Sequence, residues 1–247
     1  MRLLSDLERR KKVEVRMNGK ELQGSMARRL FLARLGAGAS VVGASVVSPR
    51  GAAAQAPADA PWRPARHTQD DWYDRIPGVH RFLFDTSTGD SMGWALQFAT
   101  NYFAANQEVY GLKDSDLAVV IVARHKSTSF AYNDAIWAKY GKQLSEQAEF
   151  MDPKTKEPPK INVYGPAGET VQAGRMDALI KKGVQFAVCQ MSTRGIAGRI
   201  AKANRVDTDS IVKEITANLI GNSHMVPAGI LAVNRAQERG YSFIYAI

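Results

Sequence analysis

Asp116–Ala123 reads DLAVVIVA and Val184–Gln190 reads VQFAVCQ. Seven apolar residues in a row behind a single aspartate leave no polar face to turn toward water. The run predicts a strand covered on both sides, as strands of a parallel sheet are. Upstream, Val79–Thr86 (VHRFLFDT) predicts another strand, ending at the turn-prone Ser87-Thr88-Gly89-Asp90. Met92, Leu96, Ala99 and Phe103 then fall at helical spacing, which predicts a helix over Ser91–Gln107.

The same reading carries to the C-terminus. Helices are predicted over Thr128–Tyr140, over Met176–Lys182 with Gly183 closing it, and over Ile196–Ala203, Asp209–Ile220 and Gly229–Arg239. A short strand begins at Val226, and Tyr241–Ile247 (YSFIYAI) is the last. Strands alternating with helices predict an α/β fold, a mostly parallel sheet flanked by helices on both faces. The pattern leaves the strand order open. Gln143–Gly174, with Asp152-Pro153 and Pro158-Pro159, lacks periodicity and reads as an insertion of the kind used for lids, binding loops or oligomer arms. Within it Asn162-Val163-Tyr164 is a candidate short edge strand.

The 247 residues carry a net charge of +9 and a pI near 9.7. Residues 1–56 hold 11 of the 33 Lys and Arg but 4 of the 24 acids, a net of +7, so +2 remains for residues 57–247. The body has no basic stripe to neutralise phosphates, and nucleic acid is not an expected partner. Residues 1–25 read as a disordered extension or a mis-called start. Residues 26–56 have the order of an export signal: Arg28-Arg29 before Phe31-Leu32, a Gly- and Ala-rich apolar run from Leu35 to Val47, and small residues before a cut near Ala54 to Ala56. This segment resembles a twin-arginine signal peptide, which implies a periplasmic protein that meets the membrane only during export. An uncleaved or amphipathic membrane helix is the other reading. Residues 57–78 read as an extended arm on the surface, and residues 79–247 as the folded domain.

Three motifs carry a family likeness: Leu179-Ile180-Lys181-Lys182-Gly183-Val184 running into Val188-Cys189; Val226-Pro227-Ala228-Gly229-Ile230; and Gln237-Glu238-Arg239-Gly240-Tyr241. On these residues the chain resembles the DsrE/DsrF-like family of small α/β proteins, over about two thirds of its length. The resemblance implies a three-layer domain and a homo-oligomer, trimer or hexamer. It also implies sulfur carriage as a persulfide on Cys189, with a small sulfur species or a sulfur donor or acceptor protein as partner. Export and the insertion at 143–174 depart from the family's pattern.

Cys189 is the sole cysteine, at a predicted strand end, where ligands of open α/β sheets bind. Ser192 and Thr193 are candidate caps for the next helix, and Arg194 is a candidate cation to favour the thiolate. His125, two residues beyond DLAVVIVA, is a candidate proton acceptor or metal ligand, with His224 a third polar group at the same rim. Asp90 is a candidate helix N-cap, and Asp85 lies across the same turn. Phe130, Tyr132, Trp137 and Tyr140 read as core or oligomer interface. No Walker loop or dinucleotide fingerprint occurs, so no cofactor is expected. Two readings follow: an exported persulfide carrier or sensor acting through Cys189, or a non-catalytic ligand- or metal-binding or assembly module in which Cys189 is inert.

Overall fold

The computed structural model describes residues 62–247. β1 (His80–Thr86), β2 (Leu117–Ala123), β3 (Gln185–Cys189), β4 (Ser223–Val226) and β5 (Ser242–Tyr245) form one sheet in the order β4-β3-β2-β1-β5. Every pair is parallel, in registers such as Leu83↔Val120, Ala123↔Val188, Cys189↔Val226 and Asp85↔Tyr245. The chain steps from β1 through β4 in one direction, then crosses the whole sheet to add β5 beside β1.

The strand read first from the sequence is the middle of this sheet, and all seven of its residues are buried. Alternation divides them between two cores. Leu117, Val119, Ile121 and Ala123 join the cluster built from α2 (Gly89–Tyr110), α3 (Asp134–Ala148), α4 (Arg175–Lys181), α5 (Gln190–Asn204) and α6 (Thr208–Thr216). Ala118, Val120 and Val122 face the cluster formed with α1 (Trp72–Arg75) and α7 (Gly229–Gln237). Burying each Val or Ile of β2 contributes ~1.5–3 kcal/mol, so the run DLAVVIVA is held from both sides. The three-layer α/β fold follows.

Local chemistry moves several boundaries from those expected. Asp90 does not cap α2: Thr88 does, in a reciprocal pair with Ser91, because Thr88 keeps the extended backbone that a cap needs while Asp90 is already helical. Helix Thr128–Tyr140 is replaced by a tight 3-10 segment, His125–Ala131, followed by α3. Ser127 Oγ donates to the carbonyl of Thr86 and accepts from the Arg124 N–H, offering the backbone an alternative to the α-helix. Asn133 then starts α3 by accepting from the N–H groups of Ala135 and Ile136. Phe130, Tyr132, Trp137 and Tyr140 are all core residues, and the Trp137 indole donates to the Ser129 carbonyl.

α3 runs to Ala148, into the expected insertion, with a kink at Tyr140. A Cβ on Gly141 would lie 2.2 Å from the Pro159 carbonyl oxygen, so glycine lets the insertion cross the helix at that point. Asn162–Tyr164 is not a strand. The Asn162 amide donates to the carbonyls of Phe130 and Tyr132, and the Tyr164 hydroxyl donates to the carbonyl of Gly89. These side chains fix an irregular loop as a wall of the core. The segment before β1 is likewise packed rather than extended at Thr68–Arg75, where Tyr73 is fully buried. Among the described residues no helix is long and apolar enough to cross a membrane.

Candidate functional site

Because all five strands run the same way, their carboxyl ends share one rim. β3 ends there in Cys189, β2 runs on into Arg124, β1 ends in Asp85-Thr86, and β5 ends in Tyr245. Ala187 and Val122 pack on the α7 face, and by the two-residue alternation of a strand Cys189 and Arg124 point the same way. Leu83 places Asp85 on that face, and Tyr245 stands opposite Asp85.

Arg124 is gripped side-on by Asp85. Its Nε donates to Asp85 Oδ1 at 2.8 Å and its Nη2 donates to Oδ2 at 2.7 Å. The Asp85 side chain is 3% exposed, against 27% for Arg124, so the guanidinium keeps one edge toward the rim. It lies 5.8 Å from the centre of the Tyr245 ring, and Tyr245 in turn hydrogen-bonds Ser87 Oγ. Hydrogen bonding to Asp85 raises the Arg124 pKa, and the charges of Asp85, Tyr245 and Cys189 add to that. The start of α7 closes the other side: a Cβ on Gly229 would sit 2.4 Å from Arg124 Cβ. The glycine of Pro227-Ala228-Gly229 therefore makes room for this side chain.

Cys189 is 5% exposed and is itself the N-cap of α5. The helix begins at Gln190, so Ser192 and Thr193 lie inside its first turn rather than before it. The Ser192 N–H donates to Cys189 Sγ at 3.4 Å. Ser192 Oγ accepts the N–H of His125 at 3.0 Å, tying the turn after β2 to the turn after β3. Below, the buried Tyr132 hydroxyl donates to Thr193 Oγ1, and burial pushes its pKa up against the lowering effect of that bond. The sulfur thus lies at the N-terminus of α5, accepts one backbone N–H, and shares its face of the sheet with the Arg124 guanidinium that Asp85 holds.

The residues expected around the thiol are distributed differently. Arg194 points away, paired with Asp209 at 2.8 Å and 62% exposed; the guanidinium whose field reaches Cys189 is Arg124. His125 is exposed, with a left-handed backbone (φ 55°). It lines a groove of about 500 Å³ with Glu146, Met191 and Arg199, separated from Cys189 by Ser192. His224 is not at this rim. Its Nε2 meets the Gln185 side chain at 2.9 Å, near the start of β3, and its ring stacks on Trp72. Four residues of strand, ~13 Å, separate Gln185 from Cys189. Among the described residues no group of three or more His, Cys, Asp or Glu is placed to hold a metal ion. Arg28 and Arg29 lie outside the described residues.

The Asp85–Arg124 pair and Tyr245 were not singled out together from the sequence. The signal was there in the strand ends, since VHRFLFDT and DLAVVIVAR each set a charge against an apolar run, but only the order of the strands makes them neighbours. No family model and no curated protein matches the chain.

Proposed function

We propose that the protein is an exported, DsrE/DsrF-like sulfur-handling protein that carries or senses sulfane sulfur on Cys189. The observation that supports this reading is the setting of the sulfur: a thiol at a strand end that accepts the Ser192 N–H, on the same face of the sheet as an Arg124 held by Asp85. The thiolate attacks the outer sulfur of a small anionic donor such as thiosulfate. A bond forms between Cys189 Sγ and that sulfur, the sulfur–sulfur bond of the donor breaks, and sulfite leaves with the electron pair. The product is a persulfide anion on Cys189, with charge and atoms balanced. The slight exposure of Cys189 favours a small inorganic donor over a bulky one. The same low exposure favours the second reading, a binding module with an inert thiol.

Intact mass after incubation with thiosulfate or polysulfide separates the two. The carrier gains the mass of sulfur, and Cys189→Ser does not; serine keeps a cap acceptor for α5, so the variant retains the fold. A wild-type protein that stays unloaded, and whose thiol is silent to alkylation across pH, refutes the carrier reading.

A further inference from the structure

We infer that Arg124 binds a small oxyanion at the carboxyl rim of the sheet, a carboxylate, phosphate, sulfate or sulfonate group, through the edge of its guanidinium that Asp85 leaves free. A guanidinium carries five N–H donors in one plane, and a pair of them meets two oxygens of one anion. Asp85 takes the edge formed by Nε and Nη2, with bonds of 2.8 and 2.7 Å. Three N–H donors remain, two on Nη1 and one on Nη2. Among the described residues Nη1 has no hydrogen-bond partner, and it is not a buried atom, so it opens on solvent. The outer fork, Nη1 with the remaining N–H of Nη2, has the spacing of two oxygens on one carboxylate, phosphate or sulfonate.

Other half-buried arginines use their donors inside the protein. Arg81 Nη1 donates to the Tyr73 carbonyl and the Tyr241 hydroxyl, and Arg235 meets both Asp70 and Glu238. Nor does stability call for the Asp85–Arg124 pair. Apolar groups of similar size in place of a buried ion pair are often neutral or stabilising, and the seven residues of β2 that lead to Arg124 are all apolar and buried. The carboxylate is the inner partner, 3% exposed, and the guanidinium the outer one, 27% exposed. An approaching anion therefore meets the cationic end of the pair. The Tyr245 ring walls one side, 5.8 Å from the guanidinium centre. Its hydroxyl bonds that of Ser87, and a bond between two hydroxyls leaves one of their two hydrogens free to donate at the same rim.

The register Ala123↔Val188, carried on by one residue, sets Arg124 beside Cys189 on strands ~4.8 Å apart. Under the carrier reading, the oxyanion is the sulfonate end of thiosulfate, and Arg124 selects anionic donors over neutral ones. That assignment of the ligand rests on the carrier reading; the oxyanion site itself does not.

Calorimetric titration of the full chain with sulfate at constant ionic strength tests the site in the wild type, Cys189→Ser and Arg124→Lys. Lysine keeps a charge for Asp85 but lacks the planar fork. Circular dichroism checks that each variant is folded. Wild type and Cys189→Ser are expected to bind sulfate equally, and Arg124→Lys ~10-fold or more weakly, the effect of losing one hydrogen bond to a charged group. No sulfate binding by the wild type overturns the proposal. Equal affinity in Arg124→Lys also overturns it and means an adventitious ion only. The side-chain Nε–H signal of Arg124, followed by NMR in the wild type during the same titration, needs no variant. A shift that saturates supports the site, and a signal that stays still overturns it. Loading with thiosulfate, read by intact mass, separates this proposal from the carrier reading. Sulfate binding without loading refutes the carrier and leaves the site standing. Loading at limiting thiosulfate that is as fast in Arg124→Lys as in the wild type leaves the carrier standing and overturns the role of Arg124.

Discussion

Replacing Asp85 by Asn tests whether the rim is organised by the grip on Arg124. The substitution keeps the shape of the side chain and one acceptor, but removes the charge and turns an amide N–H toward a guanidinium. A hydrogen bond to a charged group contributes ~1.5–3 kcal/mol. One of the two bonds is lost outright. Arg124 is 27% exposed, so water takes up part of the released charge, and the expected loss is about 2–3 kcal/mol. Arg124→Gln is the harsher change, about 3–5 kcal/mol, because it strands a carboxylate that is 3% exposed. The double variant removes both charges together and should be more stable than Arg124→Gln alone. Urea unfolding of the four proteins closes the cycle, with an expected coupling of at least ~1.5 kcal/mol. Coupling below ~0.5 kcal/mol would refute the argument that Asp85 holds Arg124 in place.

Two further outcomes are expected. His224 titrates below the ordinary histidine value, through desolvation first and the nearby Arg75 second. Its folded pKa is depressed, so its stabilising contribution is complete above the unfolded value and is lost as pH falls through the folded one. Melting temperature should therefore drop with acidification below about pH 6.5. His224→Asn should flatten that slope, and an unchanged slope would assign it elsewhere. Asn162→Ala removes the amide that donates to the carbonyls of Phe130 and Tyr132. A loss of ~1–3 kcal/mol is expected by thermal or urea unfolding, together with faster proteolysis within residues 149–174. A neutral effect would mean that the insertion is held by its apolar contacts alone.

The sheet was legible because its central strands, β2 and β3, have to be apolar on both faces. DLAVVIVA and VQFAVCQ announce themselves without reference to anything distant. Helix starts were less legible because side chains that compete for backbone groups set them: Ser127 unwinds the turn before α3, Asn133 starts it, and Cys189, an unusual cap, starts α5 six residues ahead of the expected Ile196. The insertion was opaque because Asn162 and Tyr164 act through long-range bonds to carbonyls rather than through periodicity. The position of Cys189 at a strand end was readable. Its neighbour Arg124 was not, since a residue 65 positions earlier becomes adjacent only when β2 and β3 pair side by side.

One atom, Sγ of Cys189, both ends a strand and accepts a free amide in the first turn of the helix that follows, that of Ser192. Any adduct there must share that amide or displace it. Ser192 links that turn to the backbone of His125, so the loop beyond β2 is tied through one side chain to a thiol it never touches. Under the carrier reading proposed above, a sulfur added to Cys189 would therefore be felt at the turn of His125, which lines the groove.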